Sequence, residues 1–296
     1  MFILAIETTG PYGSVALLDE KGNILGYEVS HETMSHLKDL IPMADAMLKK
    51  CGVSKDEIDL LAPSIGPGSF TGIRIGVSTA RALCQALGIK AVPVPTLEAF
   101  LLKETAEGAQ LAGKSAAYRA AGGQTESGRT AGGQTENGRT AVCAIINARR
   151  GQVYGMIDGF MEPGPYMLAD VLGVYKEKIK PYGGKILFFG DGIDAYEKDI
   201  KEALGEPGQG PESCFEFAPK EDRYQDAVSV GRWAAKRVRE WRAEAAGAAD
   251  AVDAAGAALG CAVDFEQLLP DYMRRAEAEQ KLESGELPIC KGPKQE

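Results

Sequence analysis

Between residues 73 and 87 the apolar side chains Ile73, Val77, Ala80, Cys84 and Leu87 recur as one stripe at helical period. An apolar stretch, Asp59-Leu60-Leu61-Ala62, and a turn, Gly66-Pro67-Gly68-Ser69, come just before it. The pattern predicts strand, glycine turn and helix in succession, with the Ser69 hydroxyl as the helix cap. Gly72, Gly76 and Ala80 form a second row of small side chains, four residues apart. Such a row admits close approach of a helix from another chain, or of a sheet within the same domain, and the spacing alone fits both.

The rest of the first hundred residues alternates in the same way. Residues 2–6, 13–18 and 24–29 read as three strands, with a hairpin turn at 19–23. Residues 33–51 read as a helix with Leu37, Leu40, Ile41, Ala44 and Leu48 on one face, and Met34, Met43 and Met47 widen the apolar arc. An arc this wide covers a sheet with one part and leaves the remainder for another contact, to which methionines adapt well. A strand at 59–63, the helix to 87, a strand at 90–94 and a short helix from Thr96 follow, so this half is α/β.

Residues 104–140 break the pattern. AGGQTESGRT at 121–130 is followed by AGGQTENGRT at 131–140, a decapeptide repeated with one change and without a large apolar side chain. It cannot bury enough surface to offset its ordering entropy, and we expect a flexible insertion at a domain junction. Residues 141–148 and 152–157 then predict a hairpin, followed by a helix near 168–179, a strand at 186–189, a helix at 193–204 and a loop at 205–213. A long helix spans 226–246, an Ala-rich stretch 245–260 is a second candidate insertion, and a polar tail closes the chain. The expected units are 1–103, 104–140, 141–225, 226–283 with C-terminal helices, and 284–296 as a mobile tail.

Composition narrows the classes of function. A chain of 296 residues, 45% hydrophobic, is ample for a packed core. A formal charge of −9 argues against holding nucleic acid unaided, although Arg149 and Arg150 make a local basic spot. Six cysteines without a C-x-x-C predict free thiols in a reducing compartment. No stretch reads as a signal peptide or membrane span, and the expected location is the cytoplasm, with no membrane partner.

Candidate chemistry is sparse. Glu7-Thr8-Thr9-Gly10 ends the first strand; carboxylate, hydroxyls and glycine there suit either a nucleotide phosphate with its magnesium or a plain polar hairpin. The Gly66-Pro67-Gly68 loop lacks the lysine and spacing of a Walker A loop, and Thr71 stands where a dinucleotide fingerprint needs its third glycine. Gly190-Asp191-Gly192 is the nearest thing to a second phosphate loop. His31 and His36 lack the pairing of a helical metal site, which also argues against a metallopeptidase.

Four pieces in order carry a resemblance: Ala5-Ile6-Glu7-Thr8-Thr9, Gly66-Pro67-Gly68-Ser69-Phe70-Thr71-Gly72-Ile73-Arg74, Asn147-Ala148-Arg149-Arg150-Gly151-Gln152-Val153-Tyr154, and Pro270-Asp271-Tyr272-Met273-Arg274. Together they resemble the bacterial TsaB (YeaZ) family over nearly the whole chain. The resemblance implies an α/β, actin-like ATPase (ribonuclease H-like) fold, with two subdomains of mixed sheets flanked by helices. It also implies a non-catalytic, activating subunit in the synthesis of N6-threonylcarbamoyladenosine in tRNA. The partner would be a catalytic TsaD-like paralogue, alongside a TsaE-like ATPase. The chain could homodimerise when alone, tRNA would be met only through the complex, and ATP and metal would be used by the partners rather than by this chain.

The resemblance places the partner interface on the first two helices, at Met34, Leu37, Leu40, Ile41, Met43, Met47, Gly72, Ile73, Ile75, Gly76, Thr79 and Ala80. On that reading Gly76→Leu blocks a partner and spares the monomer's folding. Glu7, Thr8, Thr9, Asn147, Gly190, Asp191 and Gly192 would mark a cleft that has lost catalysis. Glu7 and Asn147 stand where the family usually has Asp, so one carboxylate for magnesium is missing. An ATP-dependent small-molecule kinase of the same fold is the rival expectation.

Overall fold

The computed structural model describes residues 1–30, 36–103, 140–208, 214–247 and 260–273. The first half opens with strands β1 (Phe2–Glu7), β2 (Ser14–Asp19) and β3 (Ile24–Val29), followed by helix α1 (His36–Cys51). Then come β4 (Ile58–Gly66), α2 (Phe70–Leu87), the short β5 (Lys90–Ala91) and β6 (Val94–Pro95), and α3 (Thr96–Ala99), which runs into a tight turn at Phe100–Leu102. The second half holds β7 (Thr140–Asn147), β8 (Gln152–Ile157), β9 (Met161–Met167), α4 (Leu168–Val174), β10 (Lys185–Phe189), α5 (Gly192–Leu204) and β11 (Phe215–Phe217). The last helix among the described residues, α6, spans Ala227–Gly247.

The two sheets repeat one topology. The first has the order β3-β2-β1-β4-β5, with β6 also on β4, and the second β11-β10-β7-β8-β9. In each, an antiparallel meander of three strands is joined through its first strand to a parallel pair: β1 to β4 and β5, β7 to β10 and β11. A helix follows the third strand and another the fourth in both halves. Short hairpin links suit the antiparallel strands, while each parallel pairing needs a helical crossover.

Four apolar clusters hold these layers together. Leu40, Met47, Ile73, Val77 and Cys84 from α1 and α2 pack on Leu4, Ile6 and Leu17 of the first sheet. The opposite face of that sheet (Ile3, Ala5, Ala16, Leu18) lies under Ala227, Val230, Ala234 and Val238 of α6. In the second half, Val171 and Leu172 of α4 with Ile193 and Ile200 of α5 cover Ile145, Ile157 and Phe188. The other face of this sheet (Val142, Ala144, Ile146, Phe189) is met by Leu97 and Phe100 from the end of the first half. Each sheet is thus covered on one side by its own helices and on the other by helical residues from elsewhere in the chain.

This arrangement adds two strands and corrects two expectations. Residues 161–167 and 215–217, to which the sequence assigned no element, are the edge strands β9 and β11. The long helix at 226–246 is completed as α6, but it belongs to the first half's core rather than to a separate C-terminal unit. Residues 260–273 form no helix; Ala91 and Val263 exchange backbone hydrogen bonds there at 3.0 and 2.7 Å. Both insertions lie outside the described residues, except for Thr140, which begins β7, and 245–247 and 260 at the edges of the Ala-rich stretch.

Candidate functional site

β1 ends on Glu7 and turns directly into the hairpin toward β2. Glu7 and Thr8 are fully buried and Thr9 nearly so. Glu7 Oε1 accepts hydrogen bonds from the Thr9 amide, from Thr9 Oγ1 at 2.6 Å and from the Gly10 amide at 3.3 Å. Burial raises the carboxyl above its usual pKa, and the Thr9 bonds pull the other way. The carboxyl therefore works as the brace of its own loop; its second oxygen, Oε2, is enclosed without a partner.

The same loop is fastened to the glycine turn and α2. Thr8 Oγ1 donates to the Gly72 carbonyl at 2.7 Å, and the Thr9 carbonyl accepts from the Ser69 amide at 2.8 Å. Ser69 caps α2, its hydroxyl accepting from the Gly72 amide at 3.2 Å. A Cβ built on Gly72 would lie 1.9 Å from the Thr8 carbonyl oxygen, and one on Gly76 2.2 Å from Thr8 Oγ1. The row of small residues thus seats α2 against β1 of its own chain. This decides between the two uses that spacing left open, and it removes Gly72 and Gly76 from the partner surface.

Four further residues of that set also turn inward. Leu40, Met47, Ile73 and Ala80 are buried in the chain's own core. Ile41 remains 48% exposed, Met43 and Ile75 are partly buried at the edge of the core, and Thr79 is half-buried. Beside them, Phe70 and Arg74 stand on α2, with the guanidinium 3.8 Å from the ring centroid. Met34 and the Leu37 side chain lie outside the described residues.

The second polar cluster occupies the matching place in the other half. Asn147 ends β7 as Glu7 ends β1, and Gly190-Asp191-Gly192 link β10 to α5. Asp191 Oδ1 accepts from the Asn147 amide at 3.2 Å, while Asn147 Oδ1 accepts from the Arg149 amide at 2.8 Å. Gly190 has φ +100°, and a Cβ there would lie 2.0 Å from the Ile145 carbonyl oxygen, so only glycine fits. Arg149 and Arg150 hold positive φ (64° and 56°) in the exposed hairpin tip. Among the described residues no hydrogen bond joins this cluster to Glu7, Thr8 or Thr9.

Burial, more than neighbouring charge, pushes the Asp191 carboxyl up to about 6. A carboxyl that binds its proton more tightly when folded adds stability below its unfolded value and loses it as pH rises through the folded one. The loss therefore falls between about pH 4 and 6 and amounts to about 3 kcal/mol at most. Asp191→Asn, which keeps the acceptor for Asn147, is expected to flatten that segment and raise stability at pH 8. Urea titrations at pH 4, 6 and 8 check this; an unchanged slope would place the pH response elsewhere.

A stretch that sequence reasoning left unremarked ties the halves together. Buried Arg223 donates from Nε and Nη2 to the Ala218 carbonyl (3.2 and 3.1 Å) and from Nη1 to Asp194 at 2.6 Å. The Tyr224 hydroxyl donates to the other Asp194 oxygen at 2.6 Å, and its ring stands edge-on to Tyr12 at 5.6 Å. Asp226 pairs with Lys103, whose side chain is 7% exposed. The one sequence signal here is an Asp placed just before an apolar helical run.

Two sheets of identical strand order, each ending its first strand on a polar cluster, define an α/β protein of the actin-like, ribonuclease H-like class. A model of the family described as TsaD: tRNA N6-adenosine threonylcarbamoyltransferase matches residues 30–126. The tRNA threonylcarbamoyladenosine biosynthesis protein TsaB of Bacillus subtilis is 28% identical over 95% of this chain and 97% of its own length. The protein of the same description from Haemophilus influenzae is 37% identical over 33% of this chain and 41% of its own. Among solved structures, YeaZ from Pseudomonas aeruginosa covers 92% of this chain and 99% of its own, with 22% identity and a TM-score of 0.54. Over nearly its whole length the chain is similar to proteins described as TsaB, and in fold to YeaZ. Among the described residues no helix is long and apolar enough to cross a membrane, and no group of three or more His, Cys, Asp or Glu is placed to hold a metal ion.

Proposed function

We propose that this chain is a non-catalytic, activating subunit in the synthesis of N6-threonylcarbamoyladenosine in tRNA, working beside a catalytic TsaD-like paralogue. The observation that carries the reading is the TsaB relative that matches 95% of the chain. Geometry agrees with a role outside the chemistry. Glu7 is enclosed, with one oxygen bound to its own loop, and Asp191 is half-buried and holds the Asn147 amide. Among the apolar residues that α1 and α2 leave in reach of solvent, Ile41, Met43 and Ile75, with Phe70 at the end, are the surface for the partner. In this reading a TsaE-like ATPase completes the complex, ATP and metal act on the partners, tRNA is engaged only in the assembly, and two copies pair when the chain is alone in the cytoplasm.

An omission assay tests it. Unmodified tRNA is incubated with the adenylate-forming enzyme, the TsaD- and TsaE-like proteins, threonine, bicarbonate and ATP, with and without this chain. Modification is expected only when the chain is present, and Ile41→Asp combined with Ile75→Asp is expected to lower it at least tenfold, about 1.4 kcal/mol of lost association. Equal modification without the chain would overturn the assignment. Full support by a folded double variant would move the partner surface off α1 and α2.

A further inference from the structure

Residues 260–273 cross the first half and reach the start of α2, where they complete a small exposed cluster. Leu268 is fully buried in the core that α1 and α2 share with the first sheet, and the Asp271 amide donates to the Ile65 carbonyl at 2.8 Å. These two anchors set Tyr272 beside α2, its ring centroid 5.1 Å from that of Phe70. Phe70 and Arg74 are four apart on the helix and so lie on one face. The Arg74 guanidinium stands 3.8 Å from the Phe70 centroid and 5.7 Å from the Tyr272 centroid. Its Nε donates to the Tyr272 hydroxyl at 3.0 Å.

The rings and the Nε bond fix the guanidinium and leave its outer edge open. Arg74 is exposed, and among the described residues neither Nη1 nor Nη2 has a hydrogen-bond or ion-pair partner. The chain is not short of carboxylates, with 42 Asp and Glu against 33 Lys and Arg. Arg223, Arg237 and Arg242 each pair with one, whereas α2 carries no acid at all. A guanidinium held in place with its two terminal nitrogens unmet is set to take a carboxylate or a phosphate in bidentate fashion.

The surroundings decide between the two. Nucleic acid is held by several cations acting together, and on α2 the next cation is Arg81, seven residues on. Phe70 and Tyr272, 42% and 37% exposed, flank the guanidinium instead, and Leu269, three positions before Tyr272, is 59% exposed. Arginine among exposed aromatic and apolar side chains is the composition of the centre of a protein–protein contact. We propose that Arg74 is the charge-reading residue of the partner surface, its Nη pair taking one Asp or Glu side chain of the partner protein. The contact then extends from α2 onto residues 269–272, with Tyr272 as a positioning residue that acts through the guanidinium it holds. This inference rests on the reading of α2 as partner surface and names the group which that surface recognises.

The test measures the affinity of the full chain for the TsaD-like paralogue by titration calorimetry. Arg74→Met, which keeps a stem against the rings and removes the fork, is expected to weaken binding about thirtyfold or more. Arg74→Lys, charged but without the fork, is expected to lose about tenfold. Tyr272→Phe, which keeps the ring and frees Nε, is expected to lose about threefold in the parent and nothing further in Arg74→Met. All these variants are expected to melt within about 3 °C of the parent, because the positions are exposed. Changing the paralogue's exposed Asp and Glu to Asn and Gln one at a time is expected to find one whose loss is not additive with Arg74→Met. The proposal is overturned if Arg74→Met or Arg74→Lys binds like the parent while Ile41→Asp with Ile75→Asp does not; the partner surface would then stand without its fork. It is equally overturned if every paralogue carboxylate is additive with Arg74→Met, or if Arg74→Met spares the paralogue and weakens only tRNA retention by the complex, which would make the ligand a phosphate. A parent chain that fails to bind the paralogue removes the reading of α2 and the inference with it.

Discussion

Gly76→Leu is expected to abolish the folded monomer rather than to block a partner. A first side-chain carbon at this position already falls 2.2 Å from Thr8 Oγ1, and the isobutyl group reaches further into the same space. Thr8 cannot retreat, because it is fully buried and its hydroxyl is bonded to the Gly72 carbonyl at 2.7 Å. α2 would have to lift off β1, opening the cluster of Ile73, Val77 and Cys84 on Leu4 and Ile6. Overpacking combined with a lost buried hydrogen bond places the cost above about 4 kcal/mol, a large share of a domain's stability. Soluble yield and a thermal melt followed by circular dichroism give the readout. A cooperative melt within a few degrees of the parent, with partner binding lost, would return the small-residue row to the interface.

Lys103→Met is the second large effect. It removes the ammonium from a nearly enclosed pair and leaves Asp226 charged beside the start of α6. Breaking such a pair from one side costs about 3–5 kcal/mol, mostly for the uncompensated charge. Lys103→Met with Asp226→Asn is expected to recover a good part of that loss, since asparagine removes the charge and still caps a helix. Guanidinium titrations of the parent, the single and the double variant separate these terms. A single-variant cost below about 1 kcal/mol would mean the pair behaves as an exposed surface bridge.

What could be read from the sequence was whatever rests on local period and turn chemistry. The strands of the first meander, the Ser69 cap and the stripe from Ile73 to Cys84 each follow from neighbours within a few residues, and the structure has them. β9 carries no strand signal because Pro163, Gly164 and Pro165 interrupt any alternating pattern; an edge strand tolerates prolines, since its outer amides have no ladder to feed. β11, three residues long, carries no period at all. The row Gly72, Gly76 and Ala80 was legible as a close approach but not as to what, because Thr8 is far away in sequence. Burial of Glu7 was equally hidden: a carboxylate between a strand and two threonines looks like a solvated hairpin until the chain encloses it. Nothing local pairs Lys103 with Asp226, or brings Gln225 to Gly10.

The covering of each sheet by helical residues from elsewhere in the chain has a consequence for the order of synthesis. The first sheet is complete by Pro95, yet the residues that cover its second face, Ala227 to Val238, come more than a hundred positions later. A nascent chain emerging from the ribosome therefore presents Ile3, Ala5, Ala16 and Leu18 without their final cover until most of the protein has been made. These are contacts of high sequence separation, the kind that slow folding and expose apolar surface meanwhile. A helix translated late closes the sheet translated first.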